Sequence, residues 1–334
     1  MLHFRLIYEQ IEAAKAQMLG SSLLGYRLAL ILLDNVAELL MHRELQMYFA
    51  LEDRFKPKWE PAYSQWIQGG LGPKYTAEER AAAEREFEPK TRILGHRLGR
   101  ISADDRLVLS VCHKMRCEAF HQGRLRPGVF EIVVRVLYLT VVELTRKLSA
   151  PPITVRGRPS NEEAAFMVRF GVEDAFLLPT DKGRRQLADH LLHGLQLQVS
   201  AVAAGLSQDL LERIDEMLGG LSYLSKTGTD AEIDRNLQYT QFWREVGIDL
   251  AKAGVREPKL EEAFQEWQSG GHAKYTLHKV QRWRRQAEAI GRSASAVRAL
   301  DHYWGIDRRL RPLEDDVSQA VAEYDDWIDA QIHS

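Results

Sequence analysis

Long runs of apolar residues at helical spacing constrain this chain more than any other feature of its sequence. The clearest run extends from Leu23 to about Leu51, with Asp34, Asn35, Glu38 and His42 distributed along it. Its apolar positions recur three or four residues apart, which is the spacing of one face of an α-helix: Leu28, Ile31, Leu32, Val36, Leu39 and Leu40. A helix this long and this apolar has to be buried on more than one side. Since no segment shows the alternation of a strand, the sequence predicts an all-α protein.

Capping residues and helix breakers divide the rest of the chain into further helices. A helix over residues 3–19 stops at Gly20, and Ser21 and Ser22 can cap the helix that follows. Thr76 caps a run over 77–94, and Ser102 opens a helix that extends to about residue 122. Pro127 is expected to begin a buried helix that ends at Leu148. Further helices are predicted over 59–66, 161–170, 183–204, 207–224, 229–253, 257–268, 276–299 and 312–331.

Residues 150–160, which are rich in proline and glycine, are the best candidate for a linker. We therefore expect a domain over 1–150, a linker over 151–160 and a second helical domain over 161–334. Two short sequences of the first part return in the same order in the second. The segment 62–76, with Trp66, Gly69-Gly70 and Tyr75-Thr76, is similar to 263–276, and Arg124-Leu125-Arg126-Pro127 is similar to Arg309-Leu310-Arg311-Pro312. They indicate a duplicated module whose second copy has diverged; chance similarity is the alternative, because the flanking helices match poorly.

Composition places the chain among globular proteins of the reducing cytoplasm. Apolar residues make up 45% of its 334 residues, charged residues 28%, and the net charge is −2. Cys112 and Cys117 are five residues apart in one predicted helix, so they point apart and a disulfide is not expected. Met1 to Arg5 lacks the apolar core of a signal peptide, and no stretch of about 20 apolar residues suggests a membrane span. We expect no cofactor and no metal site; His190 and His193 have metal-ligand spacing, but a solvated pair is favoured.

Arg116 and His121 are the candidate catalytic residues, in the stretch from Cys112 to His121 that ends just before Gly123. In an ideal helix, residues five positions apart diverge by about 140° around the axis. The pair can therefore act on one ligand if the helix unwinds near His121, or if both residues line a crevice shared with another helix or subunit. The alternative is an ordinary surface arginine and a histidine favoured by the dipole at the end of a helix.

This arrangement resembles the HEPN superfamily of helical bundles, whose ribonuclease members carry an R-x4-6-H motif. The resemblance covers about residues 20–150: the long apolar helix, Arg116 and His121 at a helix end, and the helix start at Arg124-Leu125-Arg126-Pro127. It implies metal-independent cleavage of RNA, in which the 2′-hydroxyl attacks the adjacent phosphate and leaves a 2′,3′-cyclic phosphate and a 5′-hydroxyl. Arg116 would stabilise the phosphorane and His121 would transfer a proton. Because the family pairs two motifs in one cleft and this chain has one, the resemblance implies a homodimer.

Other residues are expected to support this chemistry. Glu118, Cys117, His113 and Glu38 are the candidate supporting residues, and Cys117 stands where many family members carry Asn, Asp or His. A basic belt between Arg92 and Pro127 would bind the RNA backbone, chiefly through Arg106, Lys114, Arg124 and Arg126. The acidic C-terminal segment could mask that belt or simply be solvated.

Two functions follow from these features. The first is an endoribonuclease of toxin–antitoxin or antiviral (phage) defence systems, with an antitoxin or regulatory protein as partner; that role rests on family analogy. The second is a non-catalytic helical module that binds RNA or mediates assembly and keeps the HEPN fold. A third possibility is that the C-terminal part is the sensor or regulator of a nuclease N-terminal part. If it is instead a degenerate copy, Asp301 and Ile306 fall near the places of Arg116 and His121.

Overall fold

The structure, a computed structural model, describes residues 2–55, 75–121, 127–148, 160–171, 180–195 and 197–332. All regular elements in these ranges are helices and none is a strand, which confirms the predicted all-α class. The chain forms two compact units, Met1–Gln198 and Val199–Ser334. None of the helices in the described ranges has both the length and the apolar character needed to span a lipid bilayer.

The first unit is built around one long helix. Its helices are α1 Leu2–Leu19, α2 Leu23–Phe55, α3 Ala77–Arg85, α4 Phe87–Arg92, α5 Ala103–His121, α6 Pro127–Lys147, α7 Asn161–Arg169 and α8 Asp181–Leu192. One π-helical turn, Ile93–Arg97, continues α4. The central helix is α2, which contacts α1, α3, α4, α5 and α6. The fully buried stripe is Leu30, Leu33, Ala37 and Met41. The predicted apolar face is wrong in part, because Val36 is buried but Leu28 is 39% exposed and Ile31, Leu32, Leu39 and Leu40 are half-buried.

Helix starts follow the capping residues that the sequence indicates. The Ser22 hydroxyl accepts a hydrogen bond from the Gly25 amide at 3.0 Å, Thr76 forms a capping box with Glu79, and Ser102 accepts one from the Asp105 amide at 3.1 Å. These bonds satisfy amide groups that have no partner inside the first turn of a helix.

The single helix predicted over 77–94 is wrong, because the chain breaks at Glu86 and α4 starts anew at Phe87. Pro89 explains the break. In a continuous helix its ring would clash with the carbonyl of Arg85, and it has no amide hydrogen to donate. In the observed structure Pro89 lies in the first turn of α4, where no intrahelical donor is needed.

The boundary between the two units lies after Gln198 rather than in the predicted linker over 151–160. Of that linker, 151–159 lie outside the described residues. Helices α7 and α8 return to the first unit. The Tyr8 ring contacts Phe166 and Phe170 with centroids 6.4 and 6.1 Å apart, and the Tyr138 hydroxyl donates to the Leu191 carbonyl at 2.8 Å. The assignment of residues 161–198 to a second domain is therefore wrong, because linker composition does not show where the following helices pack.

The second unit contains α9 Val199–Tyr223, α10 Asp230–Phe242, α11 Ile248–Lys252, α12 Lys259–Ser269, α13 Leu277–Ile290 and α14 Ala296–Ile332. A π-helical turn, Trp243–Gly247, joins α10 to α11. Helix α9 is central and contacts α10, α13 and α14. Trp267 lies in a buried aromatic cluster with Phe242 and Phe264.

Two predicted helix boundaries in the second part are wrong. The break expected near Gly205 occurs instead around Gly194, which has a φ of 76° that suits glycine and ends the helical path. The sequence predicted helices over 276–299 and 312–331, but the observed helices are α13, which ends at Ile290, and α14, which begins at Ala296 and continues through Pro312 to Ile332.

The predicted duplication stays a prediction. Most of the first copy of the tryptophan segment, 62–74, lies outside the described residues. Thr76 and Thr276 are equivalent in one respect, since each caps the helix that follows. The second pair differs: Pro127 begins α6, whereas Pro312 lies inside α14. The order of helices differs as well, because the central helix α2 is the second helix of its unit, whereas the central helix α9 is the first of its unit.

Candidate active site

A buried carboxylate on α2 organises the candidate site. Asp34 is 2% exposed and falls on the same buried stripe as Leu30, Leu33, Ala37 and Met41. Both of its oxygens lie 3.1 Å from His113 Nδ1, and Oδ2 lies 3.5 Å from Arg116 Nε. A carboxylate away from water is costly unless it is paired and hydrogen-bonded. Asp34 therefore holds two side chains of α5, one turn apart, at one point of the helix interface.

The His113 imidazole is fixed on two sides. Its ring stacks on Phe87 of α4 with centroids 4.0 Å apart and an angle of 9° between the planes. Because an ionised carboxylate can only accept hydrogen bonds, Nδ1 donates to Asp34, which directs Nε2 away from the carboxylate. Nε2 lies 3.8 Å from Cys117 Sγ, and the side chain is 23% exposed. A carboxylate-oriented imidazole of this kind is suited to transfer a proton.

The Arg116 guanidinium remains partly open to solvent. Its side chain is 34% exposed, with Nε facing Asp34 and Nη1 donating to Cys117 Sγ at 3.9 Å. A guanidinium anchored at Nε still has terminal donors, and their fork matches the oxygens of a phosphate. Cys117, predicted as a supporting residue, is thus in contact with both His113 and Arg116.

The other predicted catalytic residue, His121, is the last residue of α5. The helix is continuous from Arg116 to His121, so these two positions diverge by about 140° around its axis. The unwinding that would bring them to one face of a single chain is not seen in the described backbone. Gly123, Arg124 and Arg126 lie outside the described residues.

Glu38 and Arg106, two of the other predicted site residues, contact partners outside the group of Asp34, His113 and Arg116. Glu38, one turn along α2, accepts a hydrogen bond from Lys90 Nζ at 2.9 Å, and Lys90 is 1% exposed. Arg106 contacts His96 of the π-helical turn and precedes Arg116 by ten residues, which is about 15 Å along the helix. Glu118 is half-buried on α5, two residues after Arg116.

The predicted basic belt is partly neutralised by carboxylates from outside its own segment. Arg97 pairs with Glu79, Arg100 Nε donates to Glu44 at 2.8 Å, and Lys114 lies 3.4 Å from Glu88. The segment between Arg92 and Pro127 therefore presents less positive charge than its sequence suggests, because helix packing supplies the partners.

Asp34 and Phe87 are the site residues that sequence reasoning missed. A signal was present for Asp34, since it lies on a second apolar stripe of the same helix, formed by Leu30, Leu33, Ala37 and Met41, which the predicted apolar face does not include. No local pattern in the sequence indicated that Phe87 belongs to the site, because its contact with His113 depends on how α4 packs against α5.

The two cysteines differ in their surroundings, and both are free. Burial, with a smaller contribution from the Asp34 carboxylate, raises the pKa of the Cys112 thiol. Cys117 is half-buried beside His113 and Arg116. In the described part of the chain, no group of three or more His, Cys, Asp or Glu side chains is placed to hold a metal ion.

Comparison with known proteins found no family model, no curated protein and no solved structure that matches this chain.

Proposed function

We propose that the unit Met1–Gln198 is an endoribonuclease of the HEPN kind that cleaves RNA without a metal. One observation carries this proposal: the buried Asp34 carboxylate holds His113 and the partly exposed Arg116 together on the helix that ends at His121. A phosphate-binding cation and an oriented imidazole are two of the groups that RNA cleavage through the 2′-hydroxyl uses.

The proposed reaction needs one base and one acid. The base takes the proton of the 2′-hydroxyl as its oxygen bonds to phosphorus, and the acid gives a proton to the 5′-oxygen as the bond from phosphorus to that oxygen breaks. Arg116 stabilises the negative charge that accumulates on the phosphorane. His121 is one proton carrier, and His113, through Nε2, is the candidate for the second. Asp34 is a positioning residue, since it acts through His113 and Arg116.

A homodimer provides the geometry that one chain lacks. Because Arg116 and His121 diverge by about 140° on one helix, a shared cleft would let His121 of one copy serve Arg116 of the other. Two free cysteines fit a reducing compartment such as the cytoplasm. A place in toxin–antitoxin or antiviral defence, with an antitoxin or regulatory protein as partner, rests on the family resemblance.

The test is cleavage of a panel of RNAs in EDTA by wild-type protein and variants. Wild-type protein should leave 2′,3′-cyclic phosphate ends, and Arg116→Ala or His121→Ala should lower the rate by at least about 100-fold. Asp34→Asn should lower the rate less, because His113 and Arg116 remain but lose the carboxylate that positions them. Arg282→Ala, at an exposed arginine of the second unit, is the matched control. Circular dichroism should show each variant folded.

A specific observation also favours the second function, a non-catalytic module for RNA binding or assembly. The continuity of α5 keeps His121 off the face of Arg116, and Cys117 replaces a polar side chain. Tight RNA binding without cleavage would select this function and exclude the first. Sedimentation at micromolar concentration gives an independent test, because a strict monomer would contradict the shared cleft.

A further inference from the structure

A pocket in the second unit has no part in the RNA chemistry proposed above. Its volume is about 380 Å³, and it lies between the C-terminal half of α14 and the segment formed by α10, the π-helical turn and α11. This volume is in the range of small-molecule sites.

Four aromatic rings line this pocket in two stacked pairs. Tyr239 and Trp243 have centroids 6.3 Å apart at 19°, and Tyr324 and Trp327 have centroids 5.8 Å apart at 20°. Trp327 is 57% exposed and Tyr324 38%. A soluble unit rarely leaves such rings open to water without a use for them.

The π-helical turn sets the position of one of these rings. A Cβ at Gly247 would lie 2.6 Å from Cε3 of Trp243, so the indole can lie against the backbone because residue 247 is glycine. π-Helical turns often occur at functional sites, since the extra residue redirects the side chains around it. Here it brings Trp243 and Arg244 to the pocket wall.

The charge of the pocket is negative. Arg244 donates to Asp316 at 2.7 Å, which neutralises the cation and the carboxylate together. Glu323 also lines the pocket and accepts a hydrogen bond from the neutral Gln319 amide at 2.8 Å, so its charge is retained. Beyond Pro312, α14 carries seven acidic residues and no lysine or arginine.

We propose that this pocket binds a small organic cation, an ammonium or guanidinium group, against its aromatic walls. The face of an aromatic ring attracts a cation, and nearby carboxylates strengthen that attraction. The same acidic field repels phosphates, so nucleotides and RNA do not fit the charge of the site. This function is separate from RNA cleavage and does not depend on it.

The test uses the full chain and two probes that share a shape but not a charge. The protein is titrated separately with choline, with its neutral carbon isostere 3,3-dimethyl-1-butanol, and with AMP as an anionic comparison. Binding is followed by calorimetry and by tryptophan fluorescence. Choline should saturate at a Kd of about 1 mM or tighter, and the isostere and AMP should bind at least tenfold more weakly. Equal binding of choline and its isostere, or no saturation by choline up to about 10 mM, would overturn the proposal.

Three variants distinguish direct contacts between choline and the pocket from the electrostatic attraction of the whole acidic half of α14. Trp327→Leu keeps an apolar side chain but removes the ring, and should weaken choline binding about two- to fivefold. Glu323→Gln should also weaken it and reduce its dependence on salt. Asp329→Asn makes the same charge change on the same helix, outside the residues that line the pocket. If Asp329→Asn weakened binding as much as Glu323→Gln, the pocket would not be the site.

The cation can belong to a free amine or to a basic side chain of a peptide. Comparison of choline with a short neutral peptide that carries one trimethyl-lysine separates these sources. Binding of the peptide at least tenfold tighter than choline would identify a protein side chain, and equal or weaker binding would identify a free amine.

Discussion

Charged side chains buried between apolar helices decide much of the chemistry of this molecule. Asp34, Glu44 and Lys90 each have at most 2% of their surface exposed, and each is paired with a charged partner on another element. The second unit has such a pair as well, since the buried Asp307 contacts Arg213 at 2.9 Å. Burial of a charge therefore does not by itself mark a functional site. Asp34 differs in the chemistry of its partners, because it holds an imidazole and a guanidinium together and both are partly exposed.

The two thiols should differ in reactivity. Because burial raises the pKa of Cys112, that thiol stays protonated as the pH rises into the range where an ordinary cysteine forms the reactive thiolate. Cys117 is half-buried at the edge of the site. At about pH 8, an Ellman titration should therefore detect one thiol in the folded protein and two in denaturant. Cys117→Ser should remove the thiol that reacts in the folded state; a variant that kept it would contradict the described burial of Cys112.

The pair of Lys90 and Glu38 should respond unequally to loss of its two members. Glu38→Gln leaves a lysine that is 1% exposed without its charged partner, and should lower the free energy of unfolding by about 1–3 kcal/mol. Lys90→Met removes the buried cation and leaves a carboxylate that is 39% exposed, so stability should change by less than about 1 kcal/mol. Urea denaturation at neutral pH compares them. Equal losses would mean that Lys90 contributes through packing rather than charge.

At the scale of helices, prolines with different positions have different consequences. Pro89 and Pro127 both lie in the first turn of a helix, where their missing amide hydrogen costs nothing. Pro312 lies in the middle of α14, where it leaves the Arg308 carbonyl without its usual helical donor. The long helix persists there because the flanking residues Leu310 and Leu313 are buried in the core.

Replacement of these prolines should therefore have different effects. Pro312→Ala restores an amide donor inside α14 and should raise the free energy of unfolding by about 1–3 kcal/mol. Pro127→Ala, the control at a first helical position, should change it by less than about 0.5 kcal/mol. Thermal and urea denaturation measure both. A loss of stability in Pro312→Ala would show that the packing of Leu310 and Leu313 requires the proline.

At the scale of the whole molecule, the observed boundary predicts which fragments fold. A fragment 1–198 keeps the contacts of α7 and α8 with Tyr8 and Tyr138, whereas 1–150 exposes both rings to water. The shorter fragment should have a lower melting temperature and bind a hydrophobic dye. The fragment 199–334 should be helical and melt cooperatively by itself. Equal stability of 1–150 and 1–198, or an unfolded 199–334, would contradict the division after Gln198.

Much of the local structure could be predicted from the sequence. Apolar spacing and capping residues such as Ser22, Thr76 and Ser102 predicted the helical class and most helix starts, because these interactions are formed between residues close in the chain. Two errors in the predicted helices also have local causes. Pro89 breaks the helix predicted over 77–94, and the chain leaves the helical path at Gly194, which adopts the left-handed conformation, rather than near Gly205.

The tertiary structure decided what lies beside the motif. The sequence placed Arg116 and His121 on one helix end, but the partner of Arg116, Asp34, is 82 residues away along the chain. Likewise, Glu44, Glu79 and Glu88 pair with basic residues of the segment between Arg92 and Pro127. A count of charges within that segment alone does not include these carboxylates. The return of α7 and α8 to the first unit also crosses a segment whose composition suggested a boundary. Contacts between residues distant in sequence depend on how whole helices pack. The periodicity of one helix does not show what covers its buried face, and in α2, which is apolar around most of its circumference, it did not single out the stripe that contains Asp34.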